Sequence, residues 1–154
     1  MLLFPIVAVA SDHADLGFKQ AVVDYLKTKG CQVKDLGPSI DLKESVDYPD
    51  YAEKLAYAVT SKEVSGAIAI CGTGIGMSIA TNKFSGIRSA CPWDHFTAEM
   101  TRRHNNINIL CLGARSLPRK LAFELIDIWL ETPFDGDRHK KRLDKIAAFD
   151  RKSL

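Results

Sequence analysis

The sequence has no cysteine pair at C-x-x-C spacing, so the usual framework of a tetrahedral zinc site is missing. It has no uninterrupted block of five basic residues. Its 21 basic and 19 acidic residues leave a net charge of +2, and nucleic acid is not an expected partner. No apolar stretch approaches the roughly 20 residues that a bilayer span takes, so no membrane association is expected. Met1–Ala10 is apolar, but it lacks a basic start and runs straight into Ser11-Asp12-His13. That excludes a signal peptide as its reading. Repeats, low-complexity tracts and linkers are also missing. What remains is an ordinary globular balance, 46% hydrophobic and 26% charged over 154 residues, the size of one domain. With no secretion signal, the four cysteines are expected to be free thiols in a reducing compartment, the cytoplasm. Cys31, Cys91 and Cys111 sit inside apolar runs and read as core packing.

Short apolar runs alternate with helical patterns. Ile6–Ala10 reads as a first strand, with Pro5 tolerated at its start. Phe18, Val22, Tyr25 and Leu26 fall at helical spacing, which predicts a helix over 15–29 stopped by Gly30. Strand Cys31–Leu36 follows, then a loop from Gly37 to Asp47 and a helix over 49–61 opened by Pro49. Ala67–Ile70 is wholly apolar, as a strand buried on both faces is. A glycine loop leads into a helix ending near Lys83. Strand Ile87–Cys91, helix Asp94–His104, strand Ile107–Leu112 and a helix from Pro118 to about Leu130 complete the alternation. The tail reads as a loop and a basic helix over about 137–152. The expected fold is α/β, a Rossmann-like three-layer α/β/α sandwich on a five-stranded parallel sheet, as a single domain over 1–154. Ligands of such sheets bind beyond the carboxyl ends of the strands. That points to Ser11–Asp15, Cys71–Ser78 and Gly113–Ser116.

Cys71-Gly72-Thr73-Gly74-Ile75-Gly76-Met77-Ser78 joins a buried strand to a helix. Alternate glycines let backbone amides approach a ligand, and the helix start adds unpaired N–H groups. The loop suits a phosphate, a carboxylate or a developing oxyanion, or is simply a tight turn. Its G-x-G-x-G spacing after the third strand disfavours a dinucleotide site. No G-K-[ST] or G-x-S-x-G is present, which removes a P-loop and weakens a serine-hydrolase reading. Cys71 at the strand end is either a nucleophile, a base or a small buried hydrophobe.

Other polar residues fall around this rim. Asp12 and His13 follow the first strand, and Asp12 or Asp15 could equally cap the helix after it. Tyr48 covers a pocket or packs at a helix start. Arg115 follows the fifth strand, on the Cys71 rim. His104 and Asn105 precede that strand. A six-residue strand is roughly 20 Å long, so they lie on the opposite rim, too far to share a site with Cys71 within one chain. Arg138 and Arg142, at i and i+4 in the tail, share a helical face that suits a phosphate or is merely solvated.

The set resembles the family of type B ribose-5-phosphate isomerases and galactose-6-phosphate isomerase subunits. The resemblance runs from Ala10-Ser11-Asp12-His13 to Arg138-His139-Lys140-Lys141-Arg142. It passes through Asp47-Tyr48-Pro49, the glycine loop, Ala80-Thr81-Asn82-Lys83, His104-Asn105 and Gly113-Ala114-Arg115. It implies an aldose–ketose isomerase of the pentose phosphate pathway, interconverting ribose 5-phosphate and ribulose 5-phosphate through an enediolate. Cys71 matches the base of the family's cysteine branch, because Ile75-Gly76-Met77 offers no carboxylate at the glutamate branch's position. His104 matches the ring-opening histidine, and Thr73 a hydroxyl that assists proton movement. Asp12, His13, Tyr48, Gly72, Gly74, Ile75, Gly76, Asn105, Arg115, Arg138 and Arg142 match substrate-binding positions, the last two holding phosphate. The family often has Gly where this chain has Asp15, which implies a differently shaped loop.

No carboxylate–histidine ligand set is visible in the sequence, so no metal or other cofactor is expected. The opposed rims imply a homodimer, or a tetramer of dimers, with sites shared between subunits and the tail helix packed on the partner. Competing readings are an isomerase of a six-carbon sugar phosphate (allose or galactose 6-phosphate), and a non-catalytic phosphosugar-binding module.

Overall fold

Ile6–Ser11 (β1), Gln32–Asp35 (β2), Gly66–Cys71 (β3), Ser89–Ala90 (β4) and Ile109–Gly113 (β5) pair in parallel, in the order β2-β1-β3-β5-β4. The computed structural model describes residues 2–151. The helices are Leu16–Thr28 (α1), Tyr48–Thr60 (α2), Ile75–Thr81 (α3), His95–Arg103 (α4), Arg119–Glu131 (α5) and Asp137–Ala147 (α6). None is long and apolar enough to cross a membrane.

The strands alternate side chains between faces, and the two faces differ in size. Val7, Val9, Ile68, Ile70, Leu110 and Leu112 pack with Phe18, Val22 and Leu26 of α1 and Ile126 and Trp129 of α5. Ala8, Ala10, Ala67 and Ala69, with Cys71, Ile109 and Cys111, pack against Ala52, Leu55 and Ala56 of α2 and Met77 of α3. α4 lies beside α5. The helices therefore form layers on both faces of the sheet, the expected three-layer sandwich.

The caps explain the boundaries. Asp15 accepts the Phe18 N–H at 2.8 Å and starts α1, and Gly30 (φ 84) ends that segment. Pro49 sits in the first turn of α2. Asp94 and Thr97 form a reciprocal capping box at α4.

Several elements are shorter than the sequence suggests, and three of them show why. β2 ends at Asp35 instead of Leu36, because the chain turns there toward Gly37, whose N–H donates to Asp35 Oδ1 at 2.9 Å. β4 keeps only Ser89 and Ala90, since side chains replace its outer ladder. Asn82 pairs with both the N–H and the carbonyl of Ser89, and Asn108 Oδ1 accepts the Arg88 N–H, each at 2.9 Å. The tail helix stops at Ala147 and tightens into a 3₁₀ turn over Ala148–Arg151. The expected last residue, Lys152, lies outside the described residues.

At the start of β3 the chain requires a glycine. A Cβ on Gly66 would sit 2.5 Å from the Phe4 ring and 2.9 Å from Trp129. Those rings are stacked with centroids 4.0 Å apart, which leaves no room to retreat. Gly66→Ala should destabilise the fold by about 1–3 kcal/mol through overpacking. Urea unfolding should show a lower midpoint with an unchanged slope. An unchanged midpoint would mean that the Phe4 ring moves aside freely.

Candidate active site

The chain reverses direction across the sheet between β1 and β3. β1 leads outward to β2, while β3 leads toward β4 on the other side. At such a switch point the loops leaving two adjacent strands diverge and open a crevice. Asp12 and His13 leave β1 there, and Cys71 closes β3.

Cys71 is buried on the alanine face, and the Gly74 N–H donates to its Sγ at 3.1 Å. The thiol therefore sits under an amide dipole rather than among apolar groups alone. Gly74 holds a left-handed φ of 77 and packs so closely that a Cβ would lie 2.6 Å from Cys91 Sγ. Cys91, read in the sequence as core, is half-buried beneath this loop, with its Sγ 3.4 Å from the Thr73 carbonyl. Burial, then the neighbouring Cys71, pushes its thiol up, and burial does the same for Cys31 and Cys111.

The other loop residues surround this thiol. Thr73 is exposed, with its Oγ1 3.4 Å from the Ile75 N–H, and Ile75 is exposed beside it. The Tyr48 ring lies 2.8 Å from where a Cβ on Gly76 would sit, so Tyr48 lids the glycine loop. Arg115 donates its N–H to the Gly72 carbonyl at 2.9 Å and lays its side chain over Gly72. Asp12 is almost fully buried and accepts the Ala14 N–H at 2.8 Å. Asp15, not Asp12, caps α1, and it also pairs with Arg119 at 3.1 Å. His13 is held by the backbone of Val46, with Nδ1 3.1 Å from its nitrogen. That latch joins positions 33 apart, and no local signal reveals it.

His104, Asn105, Arg138 and Arg142 gather at the other rim. His104 closes α4 before β5, and the five residues of β5 span roughly 17 Å. Arg138 and Arg142 are exposed one turn apart on α6, whose one buried side chain is His139. The His139 ring stacks on His104, with centroids 4.1 Å apart and 7° between planes, and its Nε2 accepts from Arg138 Nε at 3.3 Å. Sequence reasoning quoted His139 within the basic run without giving it a task. A buried histidine in a solvated helix becomes visible only once α6 is placed.

The sequence shows no carboxylate–histidine set, yet the fold assembles one. Ligand atoms of His104, Asp135 and His139 lie within 4.8 Å of one another. Asp135 and His139 stand four apart, but His104 lies 31 positions before Asp135, so no spacing shows the three together. The rings stack parallel, so their in-plane lone pairs do not converge on one point, and the arginines of α6 lie alongside.

Burial, then His104, Arg138 and Arg142, holds the His139 imidazole below its ordinary value, against an opposing pull from Asp135. The unfolded imidazole titrates at about 6.5. With the folded value lower, this residue's contribution is intact above that pH and is lost as pH falls through it. Melting temperatures of the native chain should thus drop more steeply on acidification below about pH 6.5 than those of His139→Phe, which keeps a ring on His104. Parallel curves would show that protonation of His139 is not coupled to folding.

Comparison with known proteins gives the family. The family model for ribose/galactose isomerases matches residues 7–146. The chain is 45% identical to a putative sugar phosphate isomerase of Bacillus subtilis, over 96% of this chain and 99% of that one. It is 39% identical to the ribose-5-phosphate isomerase B of Escherichia coli, over 95% and 97%. Among solved structures, the Clostridium thermocellum ribose-5-phosphate isomerase B superposes with a TM-score of 0.91 at 43% identity, covering 95% of this chain and 97% of that one. The Mycoplasma genitalium ribose-5-phosphate isomerase B, solved with bound ribulose-5-phosphate, gives 0.88 at 37% identity, covering 96% and 97%. A single sheet with its switch point at Cys71, matched along nearly its whole length by these proteins, belongs to the ribose/galactose isomerase family.

Proposed function

We propose that this chain interconverts ribose 5-phosphate and ribulose 5-phosphate, with Cys71 as the base. The observation that carries the reading is Cys71 Sγ at the switch point, under the Gly74 amide, with the Arg115 side chain over the adjoining Gly72. A sugar phosphate extending from Cys71 toward Arg115 would lie along the carboxyl edge of the sheet.

The hydrogen on C2 of an open-chain aldose is a weak acid, so its removal needs a poised base and stabilisation of the oxygen that gains charge. The Cys71 thiolate takes the C2 proton. The electron pair forms an enediolate, whose oxygens face the amides of Gly72 to Gly76 and the Thr73 hydroxyl. Reprotonation at C1 gives the ketose, and the proton on the C2 hydroxyl moves to O1. The sugar first opens through proton transfer by His104, with Asn105 beside it. Arg138 and Arg142 bind the phosphate and orient the chain, while Asp12, His13 and Tyr48 hold the sugar.

His104, Asn105, Arg138 and Arg142 serve this reaction only as parts of a second subunit's site. The working unit is therefore a homodimer, alone or paired into a tetramer. Exposed Ile75 and Ile79, one turn apart on α3 beside the glycine loop, support a subunit contact there. So does α6, which buries only His139 within its own chain. Free thiols at all four cysteines suit the cytoplasm.

A ribose 5-phosphate assay in the presence of EDTA tests the reading. The native chain should turn over, and Cys71→Ala should lose about 10²–10⁴ in kcat. No turnover by folded protein would redirect the assignment to a six-carbon sugar phosphate, the other substrate class in the family's description. Turnover that survives in Cys71→Ala would remove Cys71 as the base. Site sharing has its own test. Cys71→Ala and His104→Ala, each inactive alone, should recover about a quarter of the native rate after subunit exchange, from mixed dimers with one intact site of two. No recovery would place both residues' functions within one chain.

A further inference from the structure

On the rim away from Cys71, a cavity of about 560 Å³ opens at the entry to β1, β3 and β5. Phe4, Lys62, Ser65, Arg88, Arg102 and Asn108 are among its lining residues. Two guanidiniums meet there without a carboxylate. Neither Arg88 nor Arg102 takes part in an ion pair among the described residues. The acid on the cavity wall, Glu63, is already engaged by Lys34.

Arg102 is 4% exposed. Its Nε donates to the Thr132 carbonyl at 3.2 Å, and its Nη1 to Asn106 Oδ1 at 3.0 Å and the Ile107 carbonyl at 2.6 Å. Among the described residues its Nη2 finds no acceptor, and it is not sealed in the core like the orphaned Trp129 Nε1. Arg88 donates from Nε to the Asn106 carbonyl at 3.0 Å, and both its Nη groups lack an acceptor among the described residues. Stapling of the Asn106 turn accounts for the bonds that are made. It leaves three guanidinium NH₂ groups, on two like charges, unaccounted for. Buried arginines are rare unless paired, because desolvation of an uncompensated charge is costly. Burial, then the charge of Arg88, pulls Arg102 down to about 10.

The forks are also held in place. The Arg102 guanidinium lies over Phe4 at 4.8 Å, and Phe4 stacks on Trp129 at 4.0 Å. One face of the guanidinium is covered, its backbone-facing edge is bonded, and the remaining edge is free. The free Nη2 of Arg102 can donate to one phosphate oxygen and the two Nη groups of Arg88 to others, and ordering the held Arg102 again on binding costs little.

We propose that this cavity is a second anion site, separate from the Cys71 crevice, which takes inorganic phosphate or a phosphate monoester between Arg88 and Arg102. The dianion supplies the counter-charge that the protein withholds. Both arginines also grip Asn106, directly after His104 and Asn105, so the bound anion braces the turn that carries those residues.

The test removes the proposed active-site phosphate arginines first. Inorganic phosphate titrated calorimetrically into Arg138→Ala/Arg142→Ala should still bind once per chain. Adding Arg88→Gln to that background should weaken binding about 10-fold to 100-fold, and Arg88→Lys should recover part of it. Because Arg88 makes a single side-chain hydrogen bond, its replacement should leave the melting temperature close to that of the background. Arg102→Lys, which keeps the charge and loses the Nη2 donor, is the second variant and should also weaken binding. Absence of binding in the double variant would overturn the proposal. So would binding that neither Arg88→Gln nor Arg102→Lys alters, which would place the phosphate elsewhere.

Discussion

The side-chain size difference between the two faces of the sheet sets everything above it. Alanines on β1 and β3 allow α2 and α3 to lie close to the backbone of the strands. Only at that distance can Tyr48, at the start of α2, reach the glycine loop that opens α3. Cys71 belongs to the same face and ends the same strand. A larger residue at Ala67 or Ala69 would lift α3 and separate the Gly74 amide from the thiol. The opposite face, with valine, isoleucine and leucine, does the bulk of the apolar burial and has no comparable link to the loop.

The two rims have divided the chemistry. The carboxyl rim gathers a thiol, loop amides and one arginine, the groups that a carbanion-forming step uses. The amino rim of the same chain holds a stacked histidine pair and the arginines of α6. In the proposed reaction neither rim is sufficient alone, and the length of β5 keeps the two apart within one chain. Under that proposal a closed two-fold pair of chains would bring each rim to its complement. Stability of such a pair and competence of the site would then become one quantity.

Much of the layout could be read from the sequence because its determinants are local. Gly30, Pro49 and Asp94 each act within one turn of where they stand, and the apolar Ala67–Ile70 run has no exposed position to hide. The shortened β4 was illegible because Ile87 and Arg88 have strand-like neighbours, whereas Asn82 and Asn108 supply the bonds from elsewhere. Asp15 could be read as either a cap or a loop-shaping residue, and only its bonds to Phe18 and Arg119 show that it does both. The meeting of Arg88 with Arg102, and of His104 with His139, depends on distant segments folding against each other. No spacing rule covers such pairs.

The stack of Trp129 on Phe4 has an optical consequence. The chain carries two tryptophans, and their surroundings are opposite. Trp129 is sealed in the core with its indole N–H unbonded, while Trp93, just before α4, is 68% exposed. A dry indole emits at shorter wavelength than a hydrated one. The molecule thus contains two separable fluorophores, one reporting on the packing behind the amino rim and the other on whatever covers the surface at α4.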